Sequence, residues 1–353
     1  MLKPFKILVS FLYWLVVAIR NKLYDWGIFK SKEFAMTVIV LGNITVGGTG
    51  KTPHTEMLVK TLSQEFCLAV LSRGYKRKTR GFHYVKPTST VTEVGDEPLQ
   101  MKRKFPDVTF AVEADRVKGI ERLKKDIGEL DVVLLDDAFQ HRKLKPSLSI
   151  VLIDYNRPLH EDRMLPWGRL RDTRSQLKRA DVVVITKCPH NLKPLEMKLL
   201  EKDTRLRPYQ RLYLSAFRYG KPQPLFPSES IALPDAPSFT SVLALTGIAT
   251  PAPFVEHLSQ MIKKVEPLEF ADHHSFTKKD IERIVQLAKN HDAVFTTEKD
   301  AMRLQELSLP EELKQRLFYI PIEVEIINGN DKFTKYITNY VRKNKRNNIL
   351  HSI

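Results

Sequence analysis

The chain has 353 residues, of which 42% are apolar and 28% charged. That composition supplies core for two domains on the usual scale of about 150 residues each and excludes a disordered or fibrous chain. The formal net charge of +16 points to an anionic partner, whether nucleic acid, phospholipid or a phosphorylated substrate, without choosing among them.

The first element is an apolar run over 7–19, preceded by Lys3 and Lys6 and followed by Arg20, Lys22, Lys30 and Lys32. It falls short of the ~18–20 residues that cross a bilayer, and no small-x-small cleavage site follows it. The run reads as a helix lying in, or partly inserted into, a membrane surface, with a buried core helix as the alternative. Each basic residue of its collar adds about 1 kcal/mol of attraction to an anionic leaflet.

From residue 36 onward, short β-branched runs alternate with helical periodicity, the pattern of βα units around a mostly parallel sheet. The first strand, over 36–41, leads into Gly47-Gly48-Thr49-Gly50-Lys51-Thr52-Pro53 and a helix over 54–62. Glycines between a strand and a helix let backbone N–H groups converge on an anion at the helix N-terminus. In such a loop Lys51 reaches the β/γ-phosphates and the Thr52 hydroxyl ligates Mg²⁺. The strict pattern has Gly at its first position, where this chain has Thr45.

A strand over 67–71 carries Cys67, and Cys188 follows the strand over 182–186. Neither has metal-ligand spacing, which suits a reducing compartment and core positions. The stretch 72–80 combines Arg73, Tyr75 and further basic residues, and Trp167 stands beside Arg169 and Arg171. Both stretches suit RNA, a phosphorylated glycolipid or a solvated basic face. Gly95-Asp96-Glu97-Pro98 makes a fixed loop whose carboxylate is either a proton acceptor for a hydroxyl or the cap of a helix over 97–104. Strands over 108–112 and 132–135 flank a helix over 116–127. The second of them ends in Asp136-Asp137, the form of a Mg²⁺-side strand, with Gln140 and His141 following as possible supporting donors. A strand over 149–153 and a helix over 192–202 complete the first half.

Six prolines between 208 and 237 mark a junction. The expected organisation is a membrane-associated helix over 1–30, a core domain over 31–207, a linker over 208–240, and a smaller α/β domain over 241–353 with a basic, frayed or surface-bound end. In the last of these, strands are expected over 242–245 and 293–296 and helices over 253–263 and 278–289. His273 and His274 face opposite sides of an extended segment, which disfavours joint ligation of one metal and leaves an acid–base partner or exposed imidazoles.

Eight segments in order, GNITVGGTGKTP at 42–53, SRGY at 72–75, GDEP at 95–98, LDDAFQH at 135–141, LPWGRLR at 165–171, TGI at 246–248, FADHH at 270–274 and TTEKD at 296–300, resemble the tetraacyldisaccharide 4′-kinases. The resemblance implies a P-loop kinase on the cytoplasmic face of the inner membrane, peripheral or monotopic. It would move the ATP γ-phosphate to the 4′-hydroxyl of an acylated glucosamine disaccharide 1-phosphate, with no nucleic acid expected as partner. It implies ATP on Gly47, Gly48, Thr49, Gly50, Lys51 and Thr52, and Mg²⁺ on Thr52 with Asp136 or Asp137. Asp96 would be the proton acceptor and His273 would orient it, while Lys51 offsets developing charge. Arg73, Tyr75, Glu97, Gln140, Arg171 and Asp172 are further site candidates by the same resemblance. Ala138 stands where the family commonly has Gly, and Asp172 where it has Glu.

Overall fold

The structure, a computed structural model, describes residues 2–226, 239–272 and 274–350. His273 and residues 227–238 of the expected linker lie outside the described residues.

In chain order the strands are β1 Thr37–Asn43, β2 Leu68–Ser72, β3 His83–Tyr84, β4 Thr109–Val112, β5 Val132–Asp136, β6 Leu148–Asp154, β7 Val182–Thr186, β8 Arg211–Tyr219, β9 Gln223–Pro224, β10 Ser241–Thr246, β11 Lys264–Glu269, β12 Ala293–Thr297, β13 Leu317–Ile320 and β14 Ile322–Ile326. The helices are α1 Leu2–Asp25, α2 Lys51–Leu62, α3 Val91–Val94, α4 Asp96–Lys104, α5 Arg116–Ile127, α6 Pro194–Thr204, α7 Ala252–Met261, α8 Lys278–Ala288, α9 Glu298–Leu304, α10 Glu311–Lys314 and α11 Asn330–Leu350.

Among the described residues the strands make two sheets, a nine-stranded one in the order β14-β8-β7-β6-β1-β5-β2-β4-β3 and a five-stranded one in the order β11-β10-β12-β13-β9. In the large sheet β1, β2, β5, β6 and β7 are buried along their whole length. Continuous Val/Ile/Leu runs are what a parallel sheet covered on both faces requires. Alternate residues go to opposite layers. Ile39 and Leu41 pack with Leu58 of α2, Leu99 of α4 and Ile337 of α11, whereas Val38 and Val40 pack with Ile120 and Leu123 of α5. The small sheet is sandwiched in the same way, Phe254 and Leu258 of α7 on one face and Ile284 of α8 with Ala301 of α9 on the other. The α/β class with a large mostly parallel sheet and a smaller second one is therefore as expected.

Sheet membership departs from the expected segmentation. Strand β8 lies within 208–240 and pairs with β7, and from the C-terminal part of the chain β14 joins the large sheet beside β8 while α11 packs on it. Pro208 and Pro222 flank a nine-residue strand that contains no proline, so the cluster punctuates the chain without preventing a strand. The basic end is helical and docked: Phe333, Ile337 and Val341 are buried at spacings of four, and Arg342 and Lys345 pair with Glu65 and Asp131. Cys67 is exposed and Cys188 buried, so only the second is a core residue.

The 13-residue apolar run is the middle of a 24-residue helix, which spans about 36 Å at 1.5 Å per residue. One side of α1 is fixed to the large-sheet domain. Ser10 donates to the Met164 carbonyl (2.5 Å), Tyr13 to the Arg171 carbonyl (3.0 Å), Arg20 to the Gln140 carbonyl (2.9 Å) and Asn21 to Asp172 Oδ1 (2.8 Å). The other side leaves Phe5, Leu8, Phe11, Leu12, Val16 and Ile19 exposed, continuing onto Trp26, Ile28 and Trp167.

Candidate active site

Strand β1 ends at Asn43, and the chain turns through 44–50 into α2. Thr45 fits the first loop position because the backbone there is still extended: Thr45 bridges Leu170, the Val46 N–H donates to the Arg169 carbonyl (2.7 Å) and the Arg171 N–H to the Ile44 carbonyl (2.9 Å). The LPWGRLR segment is thus zipped to the entry of the loop. At its exit Gly50 has φ +84°, and a Cβ there would stand 2.6 Å from Phe217 Cζ, so both torsion and space demand glycine. Thr49 is fixed from both sides, its hydroxyl accepting from Asn43 Nδ2 (2.8 Å) and its carbonyl accepting from the Thr186 hydroxyl (2.9 Å).

Buried His54, one turn into α2, locks the loop's last carbonyl. Its Nδ1–H donates to the Gly50 carbonyl (2.7 Å), which leaves Nε2 to accept from the Ser215 hydroxyl (2.8 Å). Burial pushes its pKa down to about 4, against the Gly50 carbonyl, so the ring is neutral.

Strand β5 pairs with β1 so that Asp136 lies opposite Leu41, which brings both strand ends to one edge. Asp136 is buried and accepts from the Thr55 (3.2 Å) and Ser72 (3.3 Å) hydroxyls. Burial, then the Glu97 and Asp137 carboxylates, raise its pKa, opposed by Lys51 and the Thr55 hydroxyl. Asp137, at φ +51°, turns the other way. Arg171 holds it in a two-pronged pair and Lys51 Nζ stands 3.8 Å away. Although burial acts to raise its pKa, Lys51 and Arg171 prevail and bring it down to about 2. Gln140 donates to the Asn43 carbonyl (2.7 Å) and Arg171 also bonds Asn43, so the candidates 51, 137, 140 and 171 form one connected cluster, with Asp136 beside it in the field of Lys51. Thr52 is half-buried at the second residue of α2, and Arg73 and Tyr75 are exposed on the loop leaving β2.

Asp96 opens α4, buried, with Oδ1 accepting from the Glu97 N–H (3.0 Å) and Oδ2 3.6 Å from Arg303 Nε of α9. Gly95, at φ +92°, makes the turn that places it. Glu97 pairs with Lys299 (3.3 Å), which also pairs with Asp272 (3.3 Å), the residue before His273. TTEKD is therefore the start of α9. The Thr297 hydroxyl caps that helix and Asp300 accepts from the Gly247 N–H (2.9 Å), while Lys299 and Arg303 turn toward α4. His274 is held by Asp280 (2.9 Å) and stacked on Phe270, a structural position. Asp172, 1% exposed, lies under α1, bonded to Asn21 and 3.5 Å from Arg179, and serves to anchor that helix.

Sequence reasoning did not single out Asn43, His54, Thr55, Ser215 or buried Arg116. The last donates to the Asp137 carbonyl (3.4 Å) and has its pKa lowered to about 10 by burial, against the Asp137 and Asp136 carboxylates. Asn43, His54 and Thr55 flank the glycine loop in the chain, which was the usable local signal, whereas Ser215 and Arg116 come from distant segments.

The family described as tetraacyldisaccharide-1-P 4′-kinase matches residues 2–342 of this chain. A tetraacyldisaccharide 4′-kinase of Bacteroides thetaiotaomicron is 49% identical, covering 96% of this chain and 93% of the relative. One of Flavobacterium johnsoniae is 42% identical over 96% and 98%. The crystal structure of LpxK from Aquifex aeolicus in complex with ATP superposes with a TM-score of 0.73 at 27% identity, covering 97% of this chain and all of that one. The expected fold, the nucleotide-loop architecture and the eight ordered motifs thus converge with full-length similarity: the chain belongs to the tetraacyldisaccharide 4′-kinase family.

Proposed function

We propose that the protein transfers the γ-phosphate of ATP to the 4′-hydroxyl of a tetraacylated glucosamine disaccharide 1-phosphate, with the cluster around Lys51 and Asp96 as its active site. The observation that carries this reading is the meeting, at one sheet edge, of a glycine loop opening a helix, a strand ending in two carboxylates and a buried aspartate facing a second lobe. The loop 47–52 holds the triphosphate by its backbone N–H groups. Lys51 and Arg171 lie where negative charge builds up on the transferred group. As the acceptor oxygen bonds to phosphorus, its proton passes to the Asp96 carboxylate, and the bond to the leaving ADP oxygen breaks with its electron pair. His273, next to Asp272, orients Asp96 when the lobes close, excluding water.

The donor set suits Mg²⁺. A strand-end carboxylate and the Thr52 hydroxyl are hard oxygen donors, which fit an ion that keeps the rest of its shell for phosphate oxygens and water. Asp136 is the better ligand of the acid pair, because its side-chain partners are the neutral Thr55 and Ser72 hydroxyls while Asp137 is already matched by Arg171 and Lys51. Thr52 and Asp136 would hold the ion, which when bound would neutralise charge on the phosphate oxygens.

The exposed apolar side of α1 suits a monotopic seat on the cytoplasmic face of the inner membrane. Its docked side ends at Arg171 and Gln140, so the lipid surface and the phosphate loop are neighbours. The test is transfer of ³²P from γ-labelled ATP to a detergent-dispersed tetraacyl disaccharide 1-phosphate, in protein that also sediments with anionic vesicles. Labelled lipid that disappears in Lys51→Ala is the expected result. ATP hydrolysis without labelled lipid, or protein left in the supernatant, would refute the corresponding part.

A further inference from the structure

Arg157 lies in the loop leaving β6, three residues after buried Asp154, and its N–H closes a turn on the Asp154 carbonyl (3.0 Å). From there its guanidinium crosses the mouth of the phosphate loop. One terminal nitrogen lies 3.5 Å from where a Cβ on Gly47 would stand, and the other donates to the Thr250 hydroxyl (3.3 Å) in the loop after β10. The second lobe touches the loop at the same place, since a Cβ on Gly48 would stand 3.7 Å from Ala249 Cβ.

Charge bookkeeping sets this arginine apart from its neighbours. Arg171 is matched by Asp137 and Arg303 by Asp300 and Asp96, and the nearby Asp154 is matched by Lys187 at 2.7 Å. Among the described residues no carboxylate stands within 4.0 Å of a nitrogen of Arg157. A half-buried guanidinium beside a loop built for phosphate, with only a neutral hydroxyl as side-chain partner, has donors to offer an anion. Gly47 opens the stretch 47–52, four residues before Lys51, where the backbone of such loops wraps the β- and γ-phosphates.

We infer that Arg157 binds the terminal phosphate of the nucleoside triphosphate and stabilises its charge during transfer, and that Thr250 makes this contact depend on the second lobe resting on the phosphate loop. The inference rests on reading 47–52 as the nucleotide loop. Arg157 thus plays the part of an arginine finger supplied in cis, a kind of contact worth roughly 10³–10⁵ in kcat where it has been removed.

The test is titration of the full-length, detergent-solubilised protein with ATP and with ADP, followed by turnover. In Arg157→Ala the ATP Kd should rise at least about tenfold and the ADP Kd change less than about threefold, with kcat falling by roughly 10²-fold or more. Retained ADP affinity shows that the fold is intact. Arg157→Lys should recover part of the ATP affinity and little of kcat, because the planar fork is lost. Thr250→Val should leave ADP binding unchanged and lower kcat several-fold. Equal loss of ATP and ADP affinity, or kcat within about threefold of wild type in Arg157→Ala, would overturn the inference. Lys51→Ala separates the two readings. If it loses ATP while Arg157→Ala behaves as wild type, only the role of Arg157 fails, whereas unchanged ATP affinity in Lys51→Ala removes the nucleotide loop itself.

Discussion

His54 is a neutral ring with both nitrogens committed, one to the carbonyl that closes the glycine loop and one to Ser215 of β8. Its folded pKa, about 4, lies below the ordinary 6.5, so between these values the unfolded chain binds the proton and the folded one does not. Stability contributed by this site is therefore complete above about pH 6.5 and is lost as pH falls toward 4, by about 3 kcal/mol at most. His141, lowered to about 4 by burial and Arg116, adds to the same slope. Urea unfolding of wild type between pH 7 and 4 should show this decline, and His54→Gln should flatten it. An unchanged slope in that variant would contradict the assignment. At this scale the sequence revealed residues whose neighbours in the chain explain them. Gly50, Lys51, Asp136 and Asp137 follow apolar strands, so their place at a sheet edge could be read directly. His54 could not be read this way, because the hydroxyl that fixes its tautomer lies 161 residues away.

The elements meet in a seam of charge between α2, α4 and α9. Lys104 Nζ joins Glu56 (2.6 Å) and Glu298 (3.0 Å), and Gln100 donates to Glu56 (2.8 Å). Burial and the Glu298 carboxylate raise the Glu56 pKa, so Lys104 is what makes two adjacent acids tolerable. Lys104→Ala should destabilise the protein by about 2–3 kcal/mol, below the full cost of breaking a buried pair because Lys104 is partly exposed. Glu56→Gln in the same chain should recover much of that loss. A single variant within about 0.5 kcal/mol of wild type would show that the seam is not a strap. Strands β1, β2, β4, β5, β6 and β7 of the large sheet were legible because burial on both faces writes uninterrupted β-branched runs, whereas β3, β8 and β14, partly exposed, were not. The ends of α1 and α11 were not. Arg20, Arg342 and Lys345 look like solvated termini in sequence, yet each heads a helical turn whose cation finds a carbonyl or carboxylate on the domain. The stripe Phe333, Ile337 and Val341 was the available signal for α11.

At the scale of the whole molecule, α1 presents an apolar face next to the loop that holds Arg171, and the second lobe leans on the other side of the site through Arg303 and Thr250. On the proposed function, a lipid-borne hydroxyl would enter from the side of α1 while nucleotide is held by the large sheet. The proline cluster marks where the chain leaves the large sheet but not where it returns, because β14 and α11 re-enter through pairings that local composition does not encode. The most direct measurement separates chemistry from binding in Asp96→Asn, with single-turnover transfer to the tetraacyl disaccharide 1-phosphate alongside ATP titration. The account predicts ATP affinity within about threefold of wild type and a transfer rate lower by roughly 10²–10⁴-fold. Transfer near the wild-type rate, with ATP bound as well as before, would contradict the assignment of Asp96 as proton acceptor.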